Sequence, residues 1–224
     1  MSRRYYDLAF TDDVLEAQEH FGSRRAWGRR VERPSGTSST DDASASPDPL
    51  TADEETFLAG LDGLFLATVS ATGWPYVQFR GGPPGFIRTP DPHTIAWADF
   101  RGNRQYISTG NLAHDDRVAL FFIDYPRQLR LKVYGRAHVT DADDSSPLAE
   151  PLRRLGYDAR VERDVRIDVV AYDWNCPQHI TPRYSAQELA PTLSRLQEEI
   201  DSLKAENARL RGGGEGVDAA AGVP

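Results

Sequence analysis

Two segments of this sequence combine arginine with glycine or hydroxyl side chains in a way that suits a bound phosphate. The first, FRGGPPGFIR, places Arg80 and Gly81 at the end of an apolar run, where glycine lets the backbone approach a ligand closely. The second, RGNRQYISTGNL, contains Arg104 and Ser108, and Asn103 is a candidate N-cap for a short helix there. A helix N-terminus beside an arginine binds phosphate readily. A barrel corner with surface arginines explains the first segment equally well, and ordinary solvation is a sufficient explanation of the second.

The neighbouring charged residues have simpler explanations. Asp99 and Arg101 are expected to pair with each other at the surface. Arg130 and Lys132 alternate along a strand with Gln128, so the three side chains share one face. Solvent is the default partner of these two cations.

The segment DWNCPQHITPR, which follows the last strand, contains the only cysteine of the sequence, Cys176. Cys176 and His179 form a C-x-x-H motif. This spacing suits a metal, but the other histidines are scattered without a second ligand pair, so we expect no metal site. Nothing in the sequence orients His179 toward a nucleophile, and no catalytic residue is assigned. The loop either covers a bound ligand through Gln178 and His179 or simply connects a strand to the following helix.

Composition narrows the classes of function. The chain has 224 residues, a formal net charge of −8 and a pI of about 5.1, which argues against a general nucleic-acid binder and an anionic membrane surface. The sequence contains no G-x-G-x-x-G, P-loop or G-x-S-x-G motif, so it lacks the dinucleotide, nucleotide and hydrolase fingerprints. No apolar run approaches a membrane span, and a single cysteine allows no intrachain disulfide. We therefore expect a cytoplasmic protein.

The elements that position these residues are mostly strands. Two apolar runs are joined by ATG, where Gly73 supplies the positive φ of a tight hairpin. The alternation in RLKVYGRAHV indicates one long strand, and Gly135 within it predicts a bend or bulge. Few long crossovers separate the runs, so the sequence predicts a mainly β fold, a six-stranded antiparallel barrel with flanking helices. The predicted strands cover 64–70, 75–81, 93–99, 117–124, 127–140 and 165–173, with short helices near 103–112 and 146–155.

Changes in composition divide the chain into segments. Thr51 and Glu54 form a capping-box pattern that opens the globular body. The Ser-, Thr-, Asp- and Pro-rich stretch before it has almost nothing to bury and is expected to be a disordered linker. The predicted organisation is an N-terminal helical extension (1–32), the linker (33–50), the barrel (51–183), a C-terminal coiled-coil helix (185–211) and a disordered tail (212–224).

The C-terminal helix shows a heptad pattern. Leucine stands at every d position, and Leu193, Ile200 and Asn207 stand at a. Glutamates at g precede basic residues at the following e, which gives interchain pairs in a parallel dimer. An amphipathic helix lying on its own barrel is the alternative. The d positions are Leu189, Leu196, Leu203 and Leu210.

Taken in order, these segments resemble the pyridoxamine 5′-phosphate oxidase-like family of FMN-binding split β-barrels. The resemblance runs from about Thr51 to Arg183 and rests on three stretches: PYVQFRGGPPGF, TIAWADFRGNRQYISTGNLAHDDRVALFFID and RQLRLKVYGRAHV. The ordered combination is specific, whereas each piece alone is weak.

The resemblance implies a homodimer that binds FMN between its subunits and acts as an oxidoreductase on a small organic substrate, with NADH or NADPH as the candidate electron donor. Matching positions assign the FMN phosphate to Arg80, Arg104 and Ser108, and place Gln128 near the isoalloxazine ring. The full set of expected cofactor-binding residues is Arg80, Gly81, Asn103, Arg104, Ser108, Asn111, Gln128, Gln178 and His179.

The sequence also departs from the true pyridoxamine phosphate oxidases. Arg80 stands where they carry lysine, and the C-terminal segment has the CPQH loop and heptads instead of their Arg-Leu-containing segment. We therefore do not expect activity on pyridoxamine phosphate. A non-catalytic flavin- or haem-binding protein and a deazaflavin-dependent reductase remain the alternatives.

Overall fold

Seven antiparallel strands form one sheet in a computed structural model that describes residues 3–28, 46–154, 156–174 and 177–214. The strand order is β2-β1-β5-β6-β7-β4-β3, and no backbone pairing among the described residues closes β2 onto β3. The sheet is therefore a split barrel and not a closed one. The strands are β1 (Gly63–Val69), β2 (Pro75–Gly81), β3 (Arg88–Asp91), β4 (Thr94–Phe100), β5 (Arg117–Asp124), β6 (Leu129–Asp141) and β7 (Val161–Trp174).

The prediction of six strands was wrong by one. The additional strand, β3, is only four residues long and contains a proline, so its sequence RTPD shows no alternation of apolar and polar residues. It lies at the edge of the sheet and pairs with β4 alone. An edge position tolerates a proline because one side of the strand needs no hydrogen-bond donor.

Helices flank the sheet. The predicted helical extension consists of three short helices as far as residue 28, and residues 29–45 lie outside the described part of the chain. The predicted helix over 146–155 shortens to five residues, whereas the C-terminal helix is slightly longer than expected. The helices are α1 (Arg3–Ala9), α2 (Asp12–His20), α3 (Arg24–Gly28), α4 (Ala52–Ala59), α5 (Ile107–Leu112), α6 (Glu150–Arg154) and α7 (Ala186–Gly214).

The core lies against one face of the sheet and follows the alternation of the strands. Every second residue of β1, β5, β6 and β7 is buried, and β4 is buried along almost its whole length. Burying each large apolar side chain stabilises the fold by roughly 1.5–3 kcal/mol. The largest buried side chains include Trp97, Phe86, Phe122, Leu64, Leu66, Leu120, Leu131 and Ile167.

Three local predictions are confirmed. The capping box forms: Thr51 accepts a hydrogen bond from Asp53 N, and Glu54 accepts one from Thr51 N at 2.8 Å. Gly73 has φ +84° in the hairpin between β1 and β2. The strand register shifts at Gly135, where a Cβ would clash with Ile167 and lie 2.8 Å from the Asp168 carbonyl oxygen.

The first helix of the predicted extension covers part of the face of the sheet opposite the core. The ring of Tyr5 in α1 stacks on that of Tyr134 in β6 with centroids 5.0 Å apart, and Lys132 Nζ lies 4.9 Å from the Tyr5 centroid. Tyr5 and Tyr6 are both buried. Tyr5 therefore anchors to the sheet a seven-residue helix that is too short to be stable alone.

The predicted linker ends earlier than expected. Asp48 N donates to Val170 O at 3.2 Å, Leu50 N donates to Pro92 O at 2.6 Å, and the Leu50 side chain is buried. Backbone hydrogen bonds to the sheet thus order residues 48–50, while 33–45 lie outside the described residues. Within the predicted tail, α7 continues through Gly214, and 215–224 again lie outside the described residues.

The chain divides into two units, one ending at Ile180 and one beginning at Thr181. The first contains the sheet and its helices, and the second contains α7. No helix among the described residues has the length and hydrophobicity needed to cross a membrane.

Candidate functional site

A cleft of about 260 Å³ opens where the ends of β2 and β4 approach the start of β7. Arg80 and Gly81 come from β2, and the polar loop over 101–106 forms one wall. Four of the nine predicted site residues line it: Arg80, Gly81, Asn103 and Arg104. The two arginine-containing segments singled out in the sequence therefore meet in space.

Asp99 lies at the centre of the cleft wall and holds two arginines. Its Oδ2 accepts hydrogen bonds from Arg163 Nη2 at 2.7 Å and Nε at 3.0 Å, and its Oδ1 lies 3.3 Å from Arg80 Nη1. Asp99 is only 3% exposed. The prediction of a surface pair between Asp99 and Arg101 was therefore wrong, because β4 turns Asp99 inward and Arg101 Nε lies 3.6 Å from Glu162 instead.

Two buried hydrogen-bond donors on residues that line the cleft have no partner. They are Arg80 Nε and Trp97 Nε1. A buried donor without an acceptor costs about 1–3 kcal/mol, so such groups are rare in native proteins and need an explanation. Because both residues line the cleft, a ligand with several acceptor oxygens is a candidate partner for them.

The charge of the cleft also favours an anion. Four arginines and two carboxylates line it, which leaves an excess of two positive charges in a chain whose net charge is −8. Although burial disfavours its charged form, the hydrogen bond and charge of Asp99 raise the pKa of Arg163 above its ordinary value. Arg163 therefore remains a cation in the cleft wall.

The loop before α5 has an unusual backbone. Arg104 has φ +63° and Tyr106 has φ +53°, in the left-handed region that disfavours side chains. Arg104 Nε donates to Tyr106 Oη at 3.2 Å, Tyr106 Oη donates to Glu162 Oε2 at 3.3 Å, and the Arg163 guanidinium lies 4.9 Å from the Tyr106 ring centroid. Side-chain contacts thus hold Arg104 at the cleft.

The predicted helix over 103–112 starts later, and Asn103 is not its cap. Tyr106 occupies the N-cap position of α5 without a side-chain cap hydrogen bond, whereas Asn103 Oδ1 accepts from Gln105 N at 3.2 Å within the loop. The positive φ at Arg104 and Tyr106 prevents a helix from including them. The positive charge of the cleft therefore comes from the arginine side chains in and around this loop. The N-terminus of the six-residue helix α5 does not supply it.

Ser108 and Asn111 are buried behind the cleft. Ser108 Oγ donates to Gln78 Oε1 at 3.0 Å, and Gln78 lines the cleft. Asn111 Nδ2 donates to Thr68 Oγ1 at 3.0 Å, which ties α5 to β1. Neither residue lines the cleft. Ser108 is linked to the cleft through its hydrogen bond to Gln78, whereas the hydrogen bond of Asn111 holds α5 against β1.

The remaining predicted residues form a separate group at the start of β6. Gln128 Nε2 donates to Ile180 O at 2.6 Å, which fixes the loop that carries Gln178 and His179. Both loop residues are exposed, and neither they nor Gln128 line the cleft. Cys176, earlier in the loop, lies outside the described residues.

Backbone strain coincides with the predicted site residues. The described part of the chain has four non-glycine residues with positive φ, and three of them, Arg104, Gln128 and His179, are among the nine predicted site residues. Each such conformation costs about 1–3 kcal/mol and persists where the surrounding structure imposes it, often at functional sites.

Sequence reasoning missed several residues that line the cleft. Arg163 precedes the predicted strand over 165–173, whereas β7 begins at Val161 and pairs Arg163 with Asp99 across the β4–β7 ladder. Trp97 has the pattern of an ordinary core residue, and its free indole donor appears only in the structure. Alternation starts only at Val165, because Glu162, Arg163 and Asp164 are three consecutive polar residues, so the pattern gave no signal that the strand extends back to Arg163.

The open antiparallel sheet and its arginine-lined cleft define a split-barrel protein with a cleft suited to an anion. The family model described as pyridoxamine 5′-phosphate oxidase matches residues 50–166, and the chain belongs to that family. The matched range contains all the strands up to the middle of β7 and the whole 101–106 loop. No curated protein sequence matches the chain.

Several solved structures are similar to part of the chain. HupZ of Group A Streptococcus is 18% identical, with a TM-score of 0.44 over 60% of this chain and 100% of that one. A putative pyridoxamine 5′-phosphate oxidase from Lactobacillus delbrueckii is 20% identical, with a TM-score of 0.41 over 56% of this chain and 94% of that one. An FMN-binding protein from Syntrophomonas wolfei is 13% identical, with a TM-score of 0.38 over 55% of this chain and 83% of that one. At these identities and scores, the similarity carries no information about function.

Proposed function

We propose that this protein is an FMN-dependent oxidoreductase that acts on a small organic substrate and binds the FMN phosphate in the cleft between β2, β4 and β7. The observation that carries the proposal is the pair of buried donors without partners, Arg80 Nε and Trp97 Nε1, in a cleft with two excess positive charges. A phosphate dianion matches both the charge and the need for acceptors. Membership of the pyridoxamine 5′-phosphate oxidase family, which binds flavins, supports the same cofactor.

Each residue of the cleft has a distinct part in this proposal. Arg80 and Arg104 would contact the phosphate, because Arg80 has a free donor and the Arg104 side chain is exposed to the cleft. Asp99 would position Arg80 and Arg163 and would not contact the phosphate, since its two oxygens already engage these arginines. Ser108 would orient Gln78 at the cleft wall.

The flavin would supply the hydride or electron transfer, which explains why no general base needs to be identified in the chain. Gln128 would act at the second group of residues, where its amide already holds Ile180 O and so positions the loop with Gln178 and His179. In this proposal, the loop with Gln178 and His179 limits the access of substrate and water to the isoalloxazine ring of the flavin. NADH or NADPH is the proposed electron donor.

A second copy of the chain would complete the site. The cleft volume of about 260 Å³ is below the roughly 300–1,000 Å³ of pockets that enclose a ligand of this size. Phe79 lines the cleft and also faces outward, where it is 56% exposed. The ring of Phe79 contacts that of Phe65, and the ring of Phe65 contacts that of Phe121. Val77, two residues before Phe79 in β2, is also exposed.

These residues form an apolar patch on β2, β1 and β5, made of Phe65, Val77, Phe79 and Phe121, and the patch reaches the cleft at Phe79. We therefore propose a homodimer that buries the patch and encloses the cofactor between the subunits. In the adjacent strand β6, by contrast, Tyr134 is covered by Tyr5 of α1.

The visible spectrum of the purified protein tests the proposed cofactor. We expect an oxidised-flavin spectrum, release of FMN on denaturation, and rebinding of FMN by the stripped protein with quenching of flavin fluorescence. Anaerobic bleaching by NADH or NADPH, with recovery in oxygen, would support turnover. A colourless protein that fails to bind added FMN would overturn the proposal, and retention of a haem or a deazaflavin would identify a different cofactor.

A further inference from the structure

We infer that α7 pairs with α7 of a second copy of this chain as a parallel, in-register, two-stranded coiled coil. The feature that carries this inference is a continuous helix over Ala186–Gly214 whose apolar side chains lie exposed along one stripe. The inference is independent of the cofactor proposed above.

The stripe follows the heptad repeat without interruption over three heptads. The six apolar residues at its a and d positions are 40–66% exposed, which is unusual for leucine and isoleucine in such a regular array. Pro191 falls at position f, opposite the stripe, and the helix continues through it. The apolar positions are Leu189, Leu193, Leu196, Ile200, Leu203 and Leu210.

Asn207 identifies the partner and its register. It occupies an a position, and in the single chain its Nδ2 donates back to Leu203 O at 3.0 Å. In a parallel, in-register pair, Asn207 of one helix faces Asn207 of the other, and the two amides can hydrogen-bond. In an antiparallel pair, an a residue faces a d residue, and in this helix every d residue is leucine, which leaves the amide without a partner. Only a second copy in the same register lets the two Asn207 amides hydrogen-bond to each other.

The charges beside the stripe favour the same orientation. Glu199 and Glu206 stand at g, and Lys204 and Arg211 stand at e. A parallel pair brings each g glutamate to the following e cation of the partner, whereas an antiparallel pair brings glutamate to glutamate and cation to cation. Within the single chain, Lys204 and Glu206 have only exposed contacts at 3.8 Å, and such contacts contribute little.

Three heptads are short for a stable coiled coil, so the pairing is expected to depend on another contact that raises the local concentration of the helices. The pairing is therefore best tested in the full chain and not in an isolated peptide. Disulfide cross-linking between engineered cysteines reports both partner and orientation.

The experiment uses the full chain with Cys176→Ser to remove the native thiol. Leu210→Cys places a thiol at a d position, where a parallel in-register pair brings two copies of the same residue together. Ser202→Cys, at position c on the outer side of the same helix, is the matched control. Leu193→Cys, at an a position, mixed with Leu203→Cys, at a d position, reports the antiparallel arrangement, in which a faces d. Each sample is oxidised at low protein concentration and run on a non-reducing gel.

We expect the Leu210→Cys chain to form a covalent dimer at least tenfold faster than the Ser202→Cys chain. Equal rates for the two variants would mean random collision and would overturn the inference, as would the absence of cross-linking at Leu210. A disulfide that forms only in the mixture of Leu193→Cys and Leu203→Cys chains would show an antiparallel pair and would overturn the orientation. Asn207→Leu provides a second readout, because it is expected to increase helix-pair stability and to lower the preference for two strands.

Discussion

Arg80 and Asp99 join two strands that are not neighbours in the sheet. Arg80 Nη1 lies 3.3 Å from Asp99 Oδ1, although β2 is the first strand in the sheet order and β4 is the sixth. This ion pair spans the open side of the split barrel. Because Asp99 also binds Arg163, one buried carboxylate fixes the positions of two of the four arginines that line the cleft.

Removal of the Asp99 carboxylate should destabilise the fold strongly. Asp99→Asn leaves Arg80 and Arg163, whose side chains are 18% and 11% exposed, without their counter-charge. Loss of one partner of a buried ion pair costs about 3–5 kcal/mol, and urea unfolding followed by fluorescence measures this loss. Asp116→Asn, which breaks the exposed pair with Arg136, is the control and should cost less than about 1 kcal/mol. Equal losses in the two variants would contradict the role given to Asp99.

Arg104 should matter more to FMN binding than its neighbour. Arg104→Ala removes an exposed cation at the cleft, and we expect FMN affinity to fall roughly tenfold or more in a fluorescence titration. Arg101→Ala should have a much smaller effect, because Glu162 already engages Arg101. Arg101 also lines the cleft, so a second control is needed. Arg136→Ala provides it, because Arg136 does not line the cleft. Similar affinities for the Arg104 and Arg101 variants would refute the assignment.

The apolar patch should link self-association to cofactor binding. Phe79→Asp replaces a 56%-exposed aromatic side chain by a carboxylate at a residue that lines the cleft, and we expect it to weaken both the barrel dimer and FMN binding. Phe21→Asp, at a ring that is 80% exposed at the end of α2, is the matched control and should change neither. Sedimentation velocity and FMN titration on the same samples measure the two effects. A Phe79→Asp chain that loses neither property would remove the basis for an interfacial site.

Glu54 should make stability depend on pH in the acidic range. Burial alone would raise its pKa, but hydrogen bonds from Thr51 and Trp174 outweigh burial and lower it below 4.5. The unfolded chain therefore binds the proton more readily, so the contribution of Glu54 is fully present above its unfolded pKa of 4.5 and is lost as the pH falls through the folded pKa.

The difference in unfolding free energy between the wild type and Glu54→Gln should thus be largest near neutral pH and shrink below about pH 4.5. Denaturant unfolding at a series of pH values measures it. Trp174→Phe removes one of the hydrogen bonds and should reduce the pH dependence without abolishing it. If the difference in unfolding free energy stays constant from pH 7 to pH 3, the ionisation of Glu54 does not contribute to stability and the prediction is wrong.

The bulge in β6 should not tolerate a side chain at Gly135. Gly135→Ala forces a Cβ to 2.8 Å from the Asp168 carbonyl oxygen, which backbone movement must relieve, so we expect a loss of about 1–3 kcal/mol. Gly110→Ala, in α5 with no atom within 4 Å of the added Cβ, is the control and should be neutral or stabilising by up to about 1 kcal/mol. Thermal unfolding compares the two, and equal melting temperatures would contradict the close contact.

Local patterns predicted the local structure well. The capping box at Thr51, the hairpin at Gly73 and the bulge at Gly135 all form as expected, because each depends on a few neighbouring residues and their backbone preferences. The mainly β class and the family follow from the order of such segments along the chain. The strand β3 escaped prediction because four residues at a sheet edge carry too little periodicity to be recognised.

The candidate site was only partly predictable. The amino-acid sequence alone determined that Arg80 and Arg104 stand in donor-rich segments at the ends of strands, since residue type and turn chemistry are local properties. The tertiary structure decided that Asp99 turns inward to hold Arg80 and Arg163, and that Trp97 leaves its donor free. These contacts join residues up to 64 positions apart across different strands, and alternation along one strand gives the face of each side chain but not its partner.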